Sequence, residues 1–173
     1  MMAGRIEARR AFSLIEVIIV VVILGMIAAI AIPRMSHANQ TAAENSLAGD
    51  LAVWRAALDL YQSQHGGAYP KNSATLVLQL TQYTDASGET SPTRDDRCIY
   101  GPCLRTVPSL PEVESSSSLA VPSGSTTVGP TLIGGAPSTI VPGGYGWLYD
   151  GAGNIYPNTG VLTDPTGKLY NSY

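Results

Sequence analysis

The sequence is poor in the residues from which most catalytic and nucleic-acid-binding sites are assembled. Charged residues make up 13% of its 173 positions, about half the usual share in a soluble domain. Ten Lys and Arg stand against thirteen Asp and Glu, a formal net charge of -3. No basic surplus is available to meet a phosphate backbone, so no nucleic acid is expected as a partner. Histidine occurs twice, as His37 and His65. Neither has a metal-ligating neighbour at helical spacing, which leaves each a charge or hydrogen-bonding role. The two cysteines, Cys98 and Cys103, are too few for a thiolate metal site and are not spaced as C-x-x-C. No Ser lies in a G-x-S-x-G setting, and no Gly run opens a phosphate loop. Without a nucleophile, a base and an oxyanion donor to combine, an enzyme is the weakest class.

What the chain does have is one long apolar run. Val17 to Ile32 carries no charge, stops at Pro33, and follows a leader containing Arg5, Arg9 and Arg10. As a helix, residues 12–33 extend about 33 Å at ~1.5 Å per residue. That is enough to cross a hydrocarbon core of about 30 Å. The basic cluster would stay cytoplasmic and the C-terminal bulk would lie outside. Glu16 does not fit a plain anchor, because a carboxylate near mid-membrane costs on the order of 2.5–3.5 kcal/mol. It needs a partner. A cut between Ala11 and Phe12 would create an α-ammonium four residues upstream, able to pair with Glu16 within one helix or between two staggered ones.

The segment Phe12-Ser13-Leu14-Ile15-Glu16 after a short basic leader, with Pro33 closing the apolar run, resembles the cleavage and methylation segment of type IV pilins and type II secretion pseudopilins. The resemblance implies that a membrane prepilin peptidase cuts between Ala11 and Phe12 and methylates the new Phe12 amine. It makes Glu16 the assembly residue, paired with the Phe12 amine of a neighbour, and Pro33 the helix kink. Ala11 stands where the family usually has Gly. Two other readings keep the same orientation: a secretory signal cut after Ala29-Ile30-Ala31, leaving a chain that begins at Ile32, and an uncut single-pass anchor.

Beyond Arg34 the pattern turns amphipathic. Leu47, Leu51, Trp54, Leu58 and Tyr61 recur at spacings of 4, 3, 4 and 3, with Glu44, Asp50, Arg55 and Asp59 off the stripe, which predicts a helix packed on its own domain. Gly66-Gly67 and Pro70 end it. A short helix near 74–82 is expected to carry Leu76 and Leu80, with Ser73 as its cap. The stretch from Asp85 to Asp96 reads as a loop. An extended segment with a turn at Gly101-Pro102 follows. In an oxidising exterior Cys98 and Cys103 form a disulfide candidate, with two free thiols as the alternative.

Residues 112–144 are rich in Ser, Gly, Pro and Thr and read as a long irregular insertion, with weak strands around 131–133 and 139–141. Two hairpins then follow at 146–157 and 161–171. Each has an Asp-led turn with Gly in fourth place, Asp150 to Gly153 and Asp164 to Gly167. Tyr100-Gly101-Pro102, Leu104-Arg105 and Pro108, with Gly146-Trp147, Tyr149 and Asp150, are similar to the major pseudopilin subfamily. That resemblance implies a calcium site in the C-terminal region, for which Asp150, Asn154 and Asp164 are the weak candidates; turn formation is the stronger reading of each.

The expected fold is α+β. Residues 1–11 are a cleaved leader, 12–33 a transmembrane and polymerisation helix, 34–65 an amphipathic stalk helix, and 66–173 a head with a small antiparallel sheet packed on the stalk. Loss of Arg5, Glu7, Arg9 and Arg10 with the leader removes a net two positive charges, so -3 becomes about -5 before the new amine is counted. The expected function is that of a structural subunit of a pilus-like filament, a type II secretion pseudopilin first and a type IV pilus or competence minor pilin second. A membrane-anchored or secreted ligand-binding module is the reading of a different class. The filament reading implies as partners further copies of this chain, other pseudopilins, the prepilin peptidase, an inner-membrane assembly platform, and membrane lipid before assembly. No catalytic residue and no cofactor other than calcium is expected.

Overall fold

The computed structural model describes residues 13–112, 124–130, 132, 139–160 and 167–170, with backbone alone for 32–38 and 40. The fold is α+β. Helix α1 spans Leu14–Gln64 and α2 spans Ser73–Thr81. Four short strands follow: β1 Tyr83–Thr84, β2 Thr90–Ser91, β3 Trp147–Tyr149 and β4 Ile155–Pro157. The chain divides between Asn39 and Gln40 into two compact units.

In the first unit the helical residues from Leu14 to Ala31 form an 18-residue stretch of mean hydropathy 3.0, none of it buried within the chain. Its apolar residues face every direction, the pattern of a helix made to be surrounded by apolar material rather than to lie on a surface. One helix long and apolar enough to cross a membrane is therefore present among the described residues. Val17 N donates to Ser13 O at 3.3 Å and Glu16 N to the same oxygen at 3.1 Å, so the first turn opens at Ser13.

The second unit is organised on the C-terminal part of α1. The predicted stripe is the buried face: Leu47, Leu51, Trp54, Leu58 and Tyr61 are all at most 3% exposed. A 3.6-residue period places them one above another, and each large side chain so buried contributes roughly 1.5–3 kcal/mol. Leu76 and Leu80 of α2 join Leu104, Leu110, Trp147, Tyr149, Ile155 and Tyr170 in one core with this stripe. Trp54 and Trp147 meet edge to face with centroids 6.1 Å apart, an arrangement that suits the ring quadrupoles.

The end of α1 and the start of α2 are satisfied locally. Gly67 N donates back to Gln62 O at 2.9 Å while Gly66 sits at φ 63, the left-handed closure that glycine allows. At the start of α2 the capping residue is Asn72, not Ser73: its Oδ1 accepts from Thr75 N at 3.1 Å with the Asn72 backbone extended. The short helix itself lies at 73–81, as the spacing of Leu76 and Leu80 predicts.

The sheet is two separate antiparallel pairs. Tyr83 faces Ser91 and Thr84 faces Thr90 in the first; Trp147 faces Pro157, Leu148 faces Tyr156 and Tyr149 faces Ile155 in the second. The hairpin expected at 146–157 is thus present, whereas most of the one expected at 161–171 lies outside the described residues. The β1–β2 hairpin occupies a stretch that reads as loop in the sequence. Within the insertion, Val128 bridges Trp147 in parallel, and Leu132 N donates to Tyr149 O at 2.7 Å. Residues 139–141 are not a strand. They are instead held by Asn158, whose Oδ1 accepts from Val141 N and whose Nδ2 donates to the carbonyls of Val141 and Tyr145.

Because Leu58 is fully buried and Leu60 is 43% exposed on the same helix, their truncations should differ sharply. Leu58→Ala should destabilise the detergent-solubilised chain by about 2–5 kcal/mol, from transfer plus cavity, and Leu60→Ala by no more than about 0.5 kcal/mol. Urea unfolding followed by tryptophan fluorescence would compare them; equal losses would contradict the burial described.

Candidate functional site

The residues that carry the filament reading lie at the start of α1. Glu16 is the one acidic residue of the first turn, exposed, with apolar side chains before and after it. Leu14, Ile15, Val17 and Ile18 around it are 48–76% exposed. A carboxylate at a helix N-terminus is favoured by the free N–H groups there. Ala11 and Phe12, the expected cleavage pair, lie outside the described residues. Helix α1 runs on past Pro33, whose side chain is not described.

Cys98 and Cys103 are free thiols in the structure, which corrects the disulfide expectation. Spacing along the chain is not proximity in space. Tyr100, between the two, exchanges both backbone hydrogen bonds with Thr84, while Cys103 N and Leu104 N both donate to Leu80 O. The segment is thereby pinned at two places, and the sulfurs take different partners: Cys98 lies 3.7 Å from Glu89 O, Cys103 3.5 Å from Gln64 Oε1. Burial pushes both thiols up, reinforced at Cys98 by Asp95 and Asp85, so they are held in the unreactive protonated form.

Asp150 and Asn154 form a turn. Asp150 Oδ1 accepts from Ala152 N at 2.8 Å and Asn154 N at 3.0 Å, and Oδ2 accepts from Asn154 Nδ2 at 2.7 Å. Calcium takes six to eight oxygens, whereas both oxygens of this carboxylate are already turned onto its own loop. No cluster of three His, Cys, Asp or Glu suited to a metal occurs among the described residues. Asp150 and Asn154 thus serve their own turn, and Asp164 lies outside the described residues.

The same turn recurs at Asp85, a site the sequence reading passed over. Asp85 Oδ1 accepts from Ser87 N at 2.9 Å and Glu89 N at 3.0 Å, and Oδ2 pairs with Arg97 Nη2 at 2.7 Å. Its signal was available in the sequence, since Asp85-Ala86-Ser87-Gly88 repeats the Asp-led turn with Gly fourth. His65 ties this turn to α1: Nε2 lies 3.0 Å from Asp85 O, Nδ1 lies 2.9 Å from Tyr61 O, and the ring stacks on Tyr61 at 3.8 Å. Its role is structural. The side chain of His37 is not described.

Residues 8–32 match the prokaryotic N-terminal methylation motif, so the chain carries that motif. The chain is 38% identical over 73 residues to the type II secretion system core protein G of Pseudomonas aeruginosa, covering 42% of this chain and 51% of that protein. With the Klebsiella pneumoniae core protein G it is 32% identical over 70 residues, 40% of this chain and 49% of the other. With that of Klebsiella michiganensis it is 27% identical over 78 residues, 45% and 54% respectively. The chain thus spans about half the length of these relatives. No solved structure matches it at a comparable level.

The Asp85 brace makes a pH prediction. Arg97 first, then the Ser87 hydroxyl, hold the Asp85 carboxyl well below the usual carboxylate range. A folded-state value depressed below the unfolded ~3.9 contributes stability that is complete above that value and is lost as pH falls through the folded one. The gap in unfolding midpoint between the chain and Asp85→Asn should therefore stay constant from about pH 7 to 5 and shrink below about pH 4. A gap that holds unchanged to about pH 2 would contradict the brace.

Proposed function

We propose that this chain is a structural subunit of a pilus-like filament, a type II secretion pseudopilin. On this reading a prepilin peptidase cuts between Ala11 and Phe12 and methylates Phe12. The subunit waits in the inner membrane as a single-pass protein with its head outside, then enters the filament through α1. The observation that carries the reading is the segment Leu14–Ala31, apolar apart from Glu16 and uncovered by its own chain, lying within the residues that match the methylation motif. Lipid covers such a surface before assembly and further copies of it cover it afterwards. The Phe12 amine of a neighbour is the partner that Glu16 needs in an apolar surrounding. The similarity to core protein G favours a secretion pseudopilus over a type IV pilus or competence system.

A second feature of the head unit supports assembly through α1. Opposite its buried stripe the helix is uncharged: Ala42, Gly49, Ala52, Val53, Ala56 and Leu60 all face outward and are exposed. Glu44, Asp50 and Arg55 lie to the sides of this face, and Asp59, seven residues on from Ala52, borders it. Small residues let helices approach closely, and Gly49 has open space where a Cβ would stand.

Two substitutions test this reading in cells that carry the secretion machinery. Glu16→Ala should leave the subunit cut and membrane-inserted yet reduce cross-linked multimers by about tenfold or more, the effect of losing ~1.4 kcal/mol per contact. Ala56→Glu should lower the same yield without altering the unfolding midpoint. Wild-type multimers from the Glu16→Ala chain would point instead to an anchored binding module.

A further inference from the structure

Two clefts open on the head on either side of one tyrosine. The first, about 310 Å³, lies between the end of α1, α2 and the β1–β2 turn. The second, about 240 Å³, lies between α1 and the β3–β4 turn. Tyr69 lines both. Their combined size is in the range of small-ligand sites.

The walls are fixed before any ligand arrives. Gln79 Nε2 donates to Gly88 O at 2.9 Å, and the turn that carries Gly88 is held by Asp85 and His65. Tyr69 rests on Gly153, where an added Cβ would come within 2.6 Å of the ring at φ 98. On the floor of the first cleft lies Tyr61, 3% exposed, with its hydroxyl beside Gly88. Gly88 leaves room for it: a Cβ there would stand 2.7 Å from that hydroxyl.

The lining selects a chemistry. Hydroxyl and amide side chains such as Thr75, Gln79, Ser87 and Asn154 dominate, so an apolar ligand would strip them of water for nothing in return. Each cleft also carries one cation and one carboxylate, Lys71 with Glu89 and Arg55 with Asp59. A phosphate or a carboxylate would meet a like charge in either. A neutral molecule rich in hydroxyls donates and accepts equally well, and its C–H face covers an aromatic ring.

We propose that the head binds a short neutral saccharide across Tyr69. The ring of Tyr69 stacks on one sugar unit, the Tyr61 hydroxyl and Gln79 hydrogen-bond the unit on one side, and Asp59 and Asn154 the unit on the other. The site is independent of the filament reading, since it uses only the head.

The test uses the full chain in a phosphocholine detergent, because maltoside detergents are themselves sugars. The probe is a trimer of β-1,4-linked N-acetylglucosamine, read by saturation transfer from protein to sugar protons. Binding with a Kd of about 1 mM is expected, weak but saturable. Tyr69→Ala should weaken it about tenfold or more. Asp59→Asn, an exposed change on α1, should weaken it several-fold while the amide spectrum of the head stays unchanged. The proposal is overturned by absence of transfer at about tenfold higher sugar, by transfer that neither variant alters, or by transfer to trialanine when the sugar gives none.

Discussion

The flank of α1 between Leu14 and Ala31 must be covered by something other than this chain, and the rest of the molecule is arranged around that requirement. Thirteen large apolar side chains in the stretch are 48–76% exposed. Covering what remains open on each is worth about 1 kcal/mol, so the whole is on the order of 10 kcal/mol, comparable to the entire stability of a domain. Against this, placing Glu16 among apolar neighbours costs on the order of 2.5–3.5 kcal/mol at most in a bilayer. The apolar term wins, and the segment goes into lipid or into a bundle of its own kind. Under the proposed filament reading the carboxylate then selects the neighbours, because a cation at matching height relieves it.

The head meets a different constraint, which is scarcity of charge. Its long-range ties are mostly neutral hydrogen bonds from side chains to backbone. Trp147 Nε1 donates to Pro108 O at 2.8 Å and Tyr149 OH to Pro70 O at 2.8 Å, each clamping a loop onto strand β3. Asn158 does the same for residues 141 and 145. Such bonds are worth about 1 kcal/mol each, but breaking one leaves a buried polar atom unpaired, so each fixes a loop more firmly than its net energy implies.

What the sequence revealed, and what it hid, follows from the range of each interaction. The stripe from Leu47 to Tyr61 was legible because helical periodicity alone puts those side chains on one face. So was the β3–β4 hairpin, from its turn. The β1–β2 hairpin was missed because two-residue strands are too short to alternate, although Asp85 to Gly88 spelled the same turn as Asp150 to Gly153. In both, the carboxylate accepts from the backbone two and four residues on, with Gly88 at φ 88 and Gly153 at φ 98. Cys98 and Cys103 misled because the pairing of Tyr100 with Thr84 is a long-range fact. Asn72 and Ser73 are both good caps, and only backbone conformation chooses between them. The clefts beside Tyr69 join elements from distant parts of the chain, which no local pattern records.

The most direct test of the account is the intact mass and N-terminal residue of the protein recovered from membranes of cells with a working prepilin peptidase. The account predicts a chain that begins at Phe12 and carries one added methyl group. A chain beginning at Ile32, or one retaining Met1 in the presence of active peptidase, would contradict it and leave a secreted or an anchored domain in its place.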